Sequence, residues 1–168
     1  MKEIKIRRSI RNFKNKPVSH EKIEMLLRAA MQAPSAGNQK PWYFVVTEDR
    51  NRMRELKIAK GLYADLLDTA TLAIVFVARF DGKYPQFVTQ DIGAAIQNLL
   101  LEAVNLDLGS CWIGVYPNEE EVERLNKTLN LDDGYQTMAI VGIGYPDSQV
   151  NKFIDRFDET RIKRDYWS

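Results

Sequence analysis

The chain has 168 residues, of which 45% are apolar, and its 24 Lys and Arg against 23 Asp and Glu give a formal net charge of +1. This size and apolar content predict a single domain over residues 1–168. A net charge near zero provides no general attraction for nucleic acid or an anionic membrane, so neither partner is expected and any anion site must be local. The single cysteine excludes an intramolecular disulfide, the charged first residues do not resemble a signal peptide, and no apolar run approaches the roughly 20 residues of a membrane span. A cytoplasmic location is therefore expected.

An amphipathic helix is the first predicted element. Ser19 can cap a helix that begins at Glu21 or Lys22 and ends at Pro34. Its apolar residues recur at i, i+3, i+4, i+7 and i+8, namely Ile23, Leu26, Leu27, Ala30 and Met31. The aromatic and β-branched run over residues 42–46 then predicts a strand.

A surface helix and a buried strand are predicted next. Residues 51–60 favour a helix in which Met53, Leu56 and Ile58 turn partly inward. Residues 72–78 are apolar throughout, which is typical of a central strand with helices over both faces of its sheet.

Two further strands are predicted over residues 111–115 and 138–143. Between them, Asn118 can cap a helix that extends to about Leu129. Strands and helices do not alternate as regularly as in a doubly wound parallel sheet. The predicted fold class is therefore α+β, with a mixed sheet flanked by helices.

The helix predicted over residues 86–106 is apolar on nearly every side. Its apolar residues are Ile92, Ala94, Ala95, Ile96, Leu99, Leu100, Leu101, Ala103 and Val104. A helix of this kind must be buried all round, which is difficult for so long a helix in a small domain and favours a homodimer. The alternative is the central helix of a monomeric domain.

The segment after Pro146 is polar but carries apolar anchors. These are Phe153, Ile154, Phe157, Ile162, Tyr166 and Trp167. Disordered segments are poor in aromatic residues, so this tail is predicted to be an arm that lies on another surface, such as a partner subunit.

Several kinds of catalytic site are excluded by residue type. His20 is the only histidine and Cys111 the only cysteine, so neither a zinc or iron–sulfur ligand set nor a hydrolytic triad can be assembled. Cys111 lies in an apolar stretch and is interpreted as a core residue. Gly142-Ile143-Gly144 is followed by Tyr145-Pro146, which does not fit a dinucleotide-binding fingerprint.

Two short segments remain as candidates for ligand binding. Arg7, Arg8 and Arg11, with Ser9 between them, can donate forked hydrogen bonds to a phosphate, although the same arginines could be ordinary solvated charges. Residues 34–42 are rich in small and turn-forming residues, which would let a flat ligand approach the backbone.

Five motifs in order carry a resemblance over essentially the whole chain. They are Arg7-Arg8-Ser9-Ile10-Arg11-Asn12-Phe13; Ala33-Pro34-Ser35-Ala36-Gly37-Asn38-Gln39-Lys40-Pro41-Trp42; Asp91-Ile92-Gly93-Ala94-Ala95-Ile96-Gln97-Asn98-Leu99-Leu100-Leu101; Leu108-Gly109-Ser110-Cys111-Trp112-Ile113-Gly114; and Gly144-Tyr145-Pro146. Together they resemble the nitroreductase family of FMN-dependent NAD(P)H oxidoreductases. The resemblance implies an α+β homodimer with a long buried interface helix, two FMN sites between the subunits and a C-terminal arm that crosses to the other subunit.

The resemblance also assigns cofactor-binding roles, residue by residue. The residues implied to hold the phosphate and the pyrimidine edge of the flavin are Arg7, Arg8, Ser9 and Arg11, with Arg156 as a further phosphate clamp. Those implied to come from the other subunit and pack against the ring are Pro34, Ser35 and Ala36, followed by Asn38 in the same loop. Ile113 and Gly114 match the backbone segment that faces flavin N5 and O4. No catalytic side chain or metal is implied, because the flavin carries the chemistry.

The implied reaction passes hydride from NADH or NADPH through the flavin to a nitroaromatic, a quinone or a similar electron-poor small acceptor. Two alternatives remain: an FMN-binding carrier or sensor without turnover, and a relative with other flavin chemistry, such as dehalogenation or flavin fragmentation. The chain departs from the family pattern at residues 61–64, which lack a polar residue that many members place near the flavin. Tyr63, Tyr84 and Phe87 could form an aromatic wall there, or simply pack on the surface.

Overall fold

Four strands form one antiparallel sheet in the computed structural model, which describes residues 2–148 and 150–167. The strands are β1 (Trp42–Thr47), β2 (Leu72–Arg79), β3 (Gly109–Gly114) and β4 (Tyr135–Gly144). The helices are α1 (Lys2–Ile6), α2 (His20–Met31), α3 (Arg50–Lys60), α4 (Val88–Asn105) and α5 (Glu119–Leu129). The strand order is β1-β2-β4-β3, so β3 is an edge strand.

Strand β2 is buried on both faces. Every residue from Leu72 to Ala78 has a relative exposure of 1% or less. Ile74 and Phe76 belong to the apolar layer shared with α2 and α4, whereas Val75 belongs to the layer shared with α3 and α5. Helices therefore cover both sides of the sheet, which confirms the α+β class and the prediction for this strand.

Local sequence signals explain where the helices begin. The Ser19 hydroxyl accepts a hydrogen bond from the backbone N–H of Lys22 at 3.4 Å, and Asn118 Oδ1 accepts one from Glu121 N–H at 3.2 Å. Asp49 caps α3 in the same way. Each of these side chains satisfies a backbone donor that a helix N-terminus leaves unpaired.

Two local features differ from the sequence predictions. Helix α1 was not predicted, because its five residues include none that is buried and show no amphipathic repeat. In α3, Met53 and Leu56 are buried as expected, but Ile58 is 73% exposed and its predicted inward orientation is wrong.

Helix α4 buries most of its apolar residues inside the single chain. The buried ones are Val88, Ile92, Ala95, Ile96, Leu99, Leu100, Ala103 and Val104. A separate face carries the exposed residues Thr89, Gln90, Gln97 and Asn105. The burial of this helix therefore does not by itself require a second subunit, and its place in a dimer interface stays a prediction. None of the helices in the described part of the chain is both long and apolar enough to cross a membrane.

The segment that carries the arginines lies along the free side of β3. Ile10 N–H donates to the Ser110 carbonyl at 3.0 Å, and Ser9 pairs with Ser110 in a parallel bridge. This parallel bridge adds to the otherwise antiparallel sheet at its edge. A Cβ on Gly109 would lie 2.8 Å from Ile10 Cβ, so the close approach requires glycine at that position.

The C-terminal segment is extended and exposes its apolar anchors. Its regular structure over residues 150–167 is a short 3₁₀ turn at Glu159–Arg161. Phe157 is 74% exposed and Trp167 is 84% exposed. Near its start, Asn151 Oδ1 accepts from the backbone N–H of Arg8 at 3.1 Å, which fixes this segment beside the arginines. That the arm lies on a partner subunit stays a prediction.

Candidate functional site

A basic cleft of about 540 Å³ lies where the arginine segment meets the C-terminal tail. Its lining consists of Arg8, Ser9, Ile10, Arg11, Ser148, Val150, Lys152 and Arg156. These residues bring three guanidinium groups and one ammonium group together, with no carboxylate among them. Four of the predicted phosphate ligands therefore share one cleft. The fifth, Arg7, does not line it.

Arg8 carries a donor that is buried without a hydrogen-bond partner. Its Nε is shielded from solvent and has no hydrogen-bond partner among the described residues, whereas Nη1 donates to the Arg7 carbonyl and Nη2 to the Lys5 carbonyl at 3.4 Å. Burial lowers the pKa of Arg8, and the positive charges of Arg156 and then Arg7 lower it further. An anion in the cleft would supply the missing acceptor and offset this repulsion, so the residues fit a phosphate group.

A second cleft of about 690 Å³ adjoins the first at Arg11, which lines both. Its other lining residues are Asn12, Lys60, Tyr63, Asp65, Leu66, Asp68, Thr69, Cys111, Trp112, Ile113 and Gly114. The predicted ring-facing residues Ile113 and Gly114 are thus next to the basic cleft. A ligand with an anionic tail and a flat head could occupy both spaces.

Of these two residues, Gly114 offers the free backbone donor. The Ser110 carbonyl points away from β4, since it accepts from Ile10. In an antiparallel strand the N–H and C=O of one residue point to the same side, and successive residues alternate. Gly114 has the same parity as Ser110, so its N–H points away from β4, whereas the N–H of Ile113 points toward β4.

Two polar side chains of the second cleft are Lys60 and Cys111, of which only Cys111 was considered from the sequence. Lys60 Nζ lies 2.9 Å from Glu121 Oε1 and 3.2 Å from the Leu62 carbonyl, although Lys60 is only 4% exposed. Cys111 forms part of the wall, and burial raises the pKa of its thiol, an effect that the positive charge of Arg11 reduces. Cys111 is therefore a buried neutral thiol, in agreement with the core role predicted for it.

The aromatic wall differs from the one considered from sequence. Tyr63 does line the second cleft, but its aromatic companion there is Trp112. Tyr84 instead packs beside Gly37, where a Cβ would lie 2.3 Å from the Tyr84 ring. Phe87 lines a different hollow. The signal for Trp112 was available, since it lies within the motif that supplies Ile113 and Gly114.

The small-residue loop lies apart from both clefts in the single chain. Pro34, Ser35 and Ala36 line a hollow of about 380 Å³ together with residues of α4 and the turn before it. Asn38, the fourth predicted residue of this loop, is exposed and does not line that hollow. One chain thus brings together the arginine cluster, Ile113 and Gly114, but it does not add the loop to them.

The loop has a backbone that only specific contacts can maintain. Gly37, Asn38 and Lys40 have φ values of 57°, 56° and 49°, in the left-handed region. This conformation costs about 1–2 kcal/mol at Lys40 and less at Asn38, because asparagine adopts it more readily than other residues with a Cβ. Ser35 offsets part of that cost, since its carbonyl accepts from Asn38 N–H at 2.9 Å and its hydroxyl from Lys40 N–H at 3.0 Å.

Comparison with known proteins assigns the chain to a family. The profile of the nitroreductase family matches residues 4–60 and 52–145. A protein of Archaeoglobus fulgidus, provisionally named NADH dehydrogenase/NAD(P)H nitroreductase, is 40% identical over 99% of this chain and 98% of its own length. The crystal structure of a protein from Clostridium acetobutylicum, provisionally named an NADH oxidase, is 49% identical with a TM-score of 0.96, over 98% of this chain and 99% of that one.

A third relative includes a cofactor. The crystal structure of a provisionally named nitroreductase from Desulfovibrio desulfuricans, in complex with FMN, is 30% identical with a TM-score of 0.80. The match covers 95% of this chain and 91% of that one. The chain therefore belongs to the nitroreductase family.

Proposed function

We propose that this protein is an FMN-dependent oxidoreductase that passes hydride from NADH or NADPH to electron-poor small molecules such as nitroaromatics and quinones. The observation that carries the proposal is the buried Nε of Arg8, for which the described part of the chain provides no acceptor, in a cleft with three other cationic groups. A phosphate is the anion that best matches several guanidinium donors. The relatives named above support FMN as the molecule that bears it.

The lining of the two clefts supports a position for each part of the proposed cofactor. Arg8, Ser9, Arg11 and Arg156 would hold the phosphate, and Lys152 is added to this set because it lines the same cleft. The ring system would lie in the adjoining cleft, and Arg11 lines both spaces. Arg7 would act at longer range, through its charge.

When bound, FMN supplies the hydride chemistry that no side chain of this cleft can provide. The protein would contribute electrostatics and orientation. The guanidinium of Arg11 would stabilise negative charge at the pyrimidine edge of the ring, and the Gly114 N–H would donate a hydrogen bond to a ring acceptor. Tyr63 and Trp112 would provide flat surfaces for an aromatic donor or acceptor.

A second copy of the chain would complete the site. Pro34, Ser35 and Ala36 lie in a hollow beside α4, away from the arginines of their own chain. The tail exposes apolar residues that its own chain does not cover. Both observations support a homodimer in which each loop reaches the cleft of the other subunit.

The test is a visible spectrum followed by an anaerobic titration. Purified protein should carry FMN or bind it when it is added; about 31 heavy atoms at roughly 0.3 kcal/mol each correspond to a sub-micromolar dissociation constant. NADH or NADPH should then bleach the flavin absorbance, and a nitroaromatic or a quinone should restore it. Bound FMN that neither nucleotide reduces would contradict the oxidoreductase and favour a carrier or sensor. A chain that does not bind FMN would contradict both.

A further inference from the structure

Asp91, in the first turn of α4, is a buried carboxylate that contacts the small-residue loop. It is 6% exposed. Its Oδ1 accepts a hydrogen bond from the backbone N–H of Ala36 at 3.0 Å, and its Oδ2 accepts one from Gln39 Nε2 at 2.8 Å. One carboxylate thus holds two points of the loop, one on each side of the left-handed residues Gly37 and Asn38.

Gln39 extends this contact to the segment before α4. Its Oε1 accepts from Tyr84 N–H at 3.1 Å, and its Nε2 also donates to the Tyr84 carbonyl at 3.1 Å. The side-chain amide therefore pairs with one backbone residue in both directions while it donates to Asp91. Gln39 can satisfy all three contacts only in the orientation that points its NH₂ group toward Asp91.

We propose that Asp91, acting with Gln39, is a positioning residue that holds Pro34, Ser35 and Ala36 in the shape that the cofactor site of a second subunit receives. The inference rests on the proposed function, since it presumes that the loop reaches a flavin. Asp91 is buried below the loop and acts on the ligand only through it.

The physical reason is the combination of strain and exposure in this loop. Asn38 and Lys40 are exposed and have left-handed backbones, so packing contributes little to holding them. Without fixed contacts the loop would sample other conformations, and ordering it on binding would weaken the affinity for FMN. The contacts from Asp91 and Gln39 order the loop before a ligand or a second subunit arrives.

A reversed pair of substitutions tests the contact itself. In Asp91→Asn the new NH₂ group faces one of the two donors, Ala36 N–H or Gln39 Nε2. In Gln39→Glu two carboxylates face each other. Each variant should therefore weaken FMN binding about tenfold or more. The double variant restores a hydrogen bond of opposite polarity, from Asn at position 91 to Glu at position 39, while the Tyr84 carbonyl lacks its donor in both variants that carry the Glu. It should bind FMN more tightly than Gln39→Glu, in which the two carboxylates face each other.

Asn126→Asp is the matched control. Asn126 Oδ1 accepts from Thr137 N–H at 2.9 Å and its Nδ2 donates to the Tyr135 carbonyl at 3.0 Å, so it pairs with backbone as Gln39 does, but far from the loop in sequence and on α5. This control should lower the melting temperature and leave FMN affinity unchanged. Equal affinity of Asp91→Asn and the wild-type protein would overturn the inference, and so would a double variant that binds FMN no more tightly than Gln39→Glu. Failure of the wild-type chain to bind FMN would instead overturn the proposed function.

Mixed dimers test whether the loop acts on the other subunit. A heterodimer of one Arg8→Ala chain and one Asp91→Asn chain places both defects in the same site if the loop acts across the interface, and leaves the second site intact. Half of the sites should then bind FMN with wild-type affinity, although each parent homodimer binds weakly. Weak binding at both sites would show that the loop acts within its own chain, and would overturn the inference as stated.

Discussion

The backbone N–H of Ile10 donates to the carbonyl of Ser110 at 3.0 Å, and this hydrogen bond ties the arginine segment to the edge strand β3. The same strand ends at Gly114, whose N–H faces away from the sheet. One strand therefore fixes the positions of the basic cleft and the second cleft relative to each other. Their separation depends on the packing between this strand and the segment beside it.

Substitution of Gly109 by alanine should disturb both clefts together. The added methyl group would lie 2.8 Å from Ile10 Cβ, a β-branched side chain that is 1% exposed and has no room to move. We expect a loss of about 1–3 kcal/mol in the free energy of unfolding, as for other overpacked sites, together with weaker FMN binding. Urea unfolding and a fluorescence titration with FMN measure the two effects. Unchanged FMN affinity in a destabilised variant would show that the arginine segment is positioned by other contacts.

Removal of the Arg8 side chain should weaken FMN binding without lowering the melting temperature of the ligand-free protein. In the absence of ligand, Arg8 is desolvated and lies near the like charges of Arg156 and Arg7, which together lower its pKa. Arg8→Ala should therefore leave the melting temperature of the ligand-free protein unchanged or raise it, while FMN binding weakens about tenfold or more because charge-assisted hydrogen bonds are lost.

Arg28→Ala is the control for this change. Arg28 forms an exposed ion pair with Glu24 on α2, and such pairs contribute little to stability. Neither the melting temperature nor FMN affinity should change appreciably. A marked fall in the melting temperature of ligand-free Arg8→Ala would mean that Arg8 is structural and not a residue kept for an anion.

Much of the fold was predictable from sequence because its signals are local. Ser19 and Asn118 cap their helices as the sequence pattern predicts. The uninterrupted apolar run of β2 is enough to predict a buried strand. The five-residue helix α1 has no such signal. The pattern of α4 shows that most of its sides are apolar, but it cannot show which neighbours cover them, because that depends on the whole fold.

In the candidate site, too, residues in contiguous motifs were predictable and residues brought in by long-range packing were not. Motif resemblance located Arg8, Arg11 and Gly114 because these residues lie in contiguous segments. Lys60 and Lys152 were missed, since each reaches its cleft through packing between segments distant in sequence. Asp91 and Gln39 were both quoted within motifs, but their partnership spans 52 residues and becomes visible only in three dimensions.

The thiol of Cys111 should react slowly, with a pH dependence that follows its burial. Burial raises the pKa of this group, so less thiolate is present at a given pH than for an exposed cysteine. Because the folded chain holds the proton more tightly than the unfolded chain, the stability gained from the neutral thiol is complete below the unfolded-chain pKa and is lost as the pH rises through the folded-state value. Alkylation rates between pH 7 and 10 should lag behind those of the urea-unfolded chain, and bound FMN should slow them further. Equal rates in the folded and unfolded chains would contradict this.

Loss of one partner of the Lys60–Glu121 ion pair should lower the free energy of unfolding more than loss of both partners. Lys60 is 4% exposed, so Glu121→Ala leaves a buried ammonium group without its counter-charge and should cost about 3–5 kcal/mol in the free energy of unfolding. The double variant Lys60→Met with Glu121→Leu removes both charges and should be closer to the wild-type protein. Urea unfolding of the three proteins decides the matter, and a double variant less stable than Glu121→Ala would contradict it.

The exposed aromatic residues of the tail should matter for association and not for the fold of one chain. Phe157, Tyr166 and Trp167 are 74%, 80% and 84% exposed, so their replacement by serine removes little packing within the chain. If they are anchors on a second copy, the triple variant should raise the dimer dissociation constant by about 100-fold or more, since buried aromatic anchors dominate interfaces. Ile58→Ser is the control, because Ile58 is 73% exposed on α3. Sedimentation measured over a range of concentrations should show the triple variant dissociating where the wild-type protein and the control remain dimeric. A monomeric wild-type chain, or a triple variant that dimerises normally, would remove the tail from the interface.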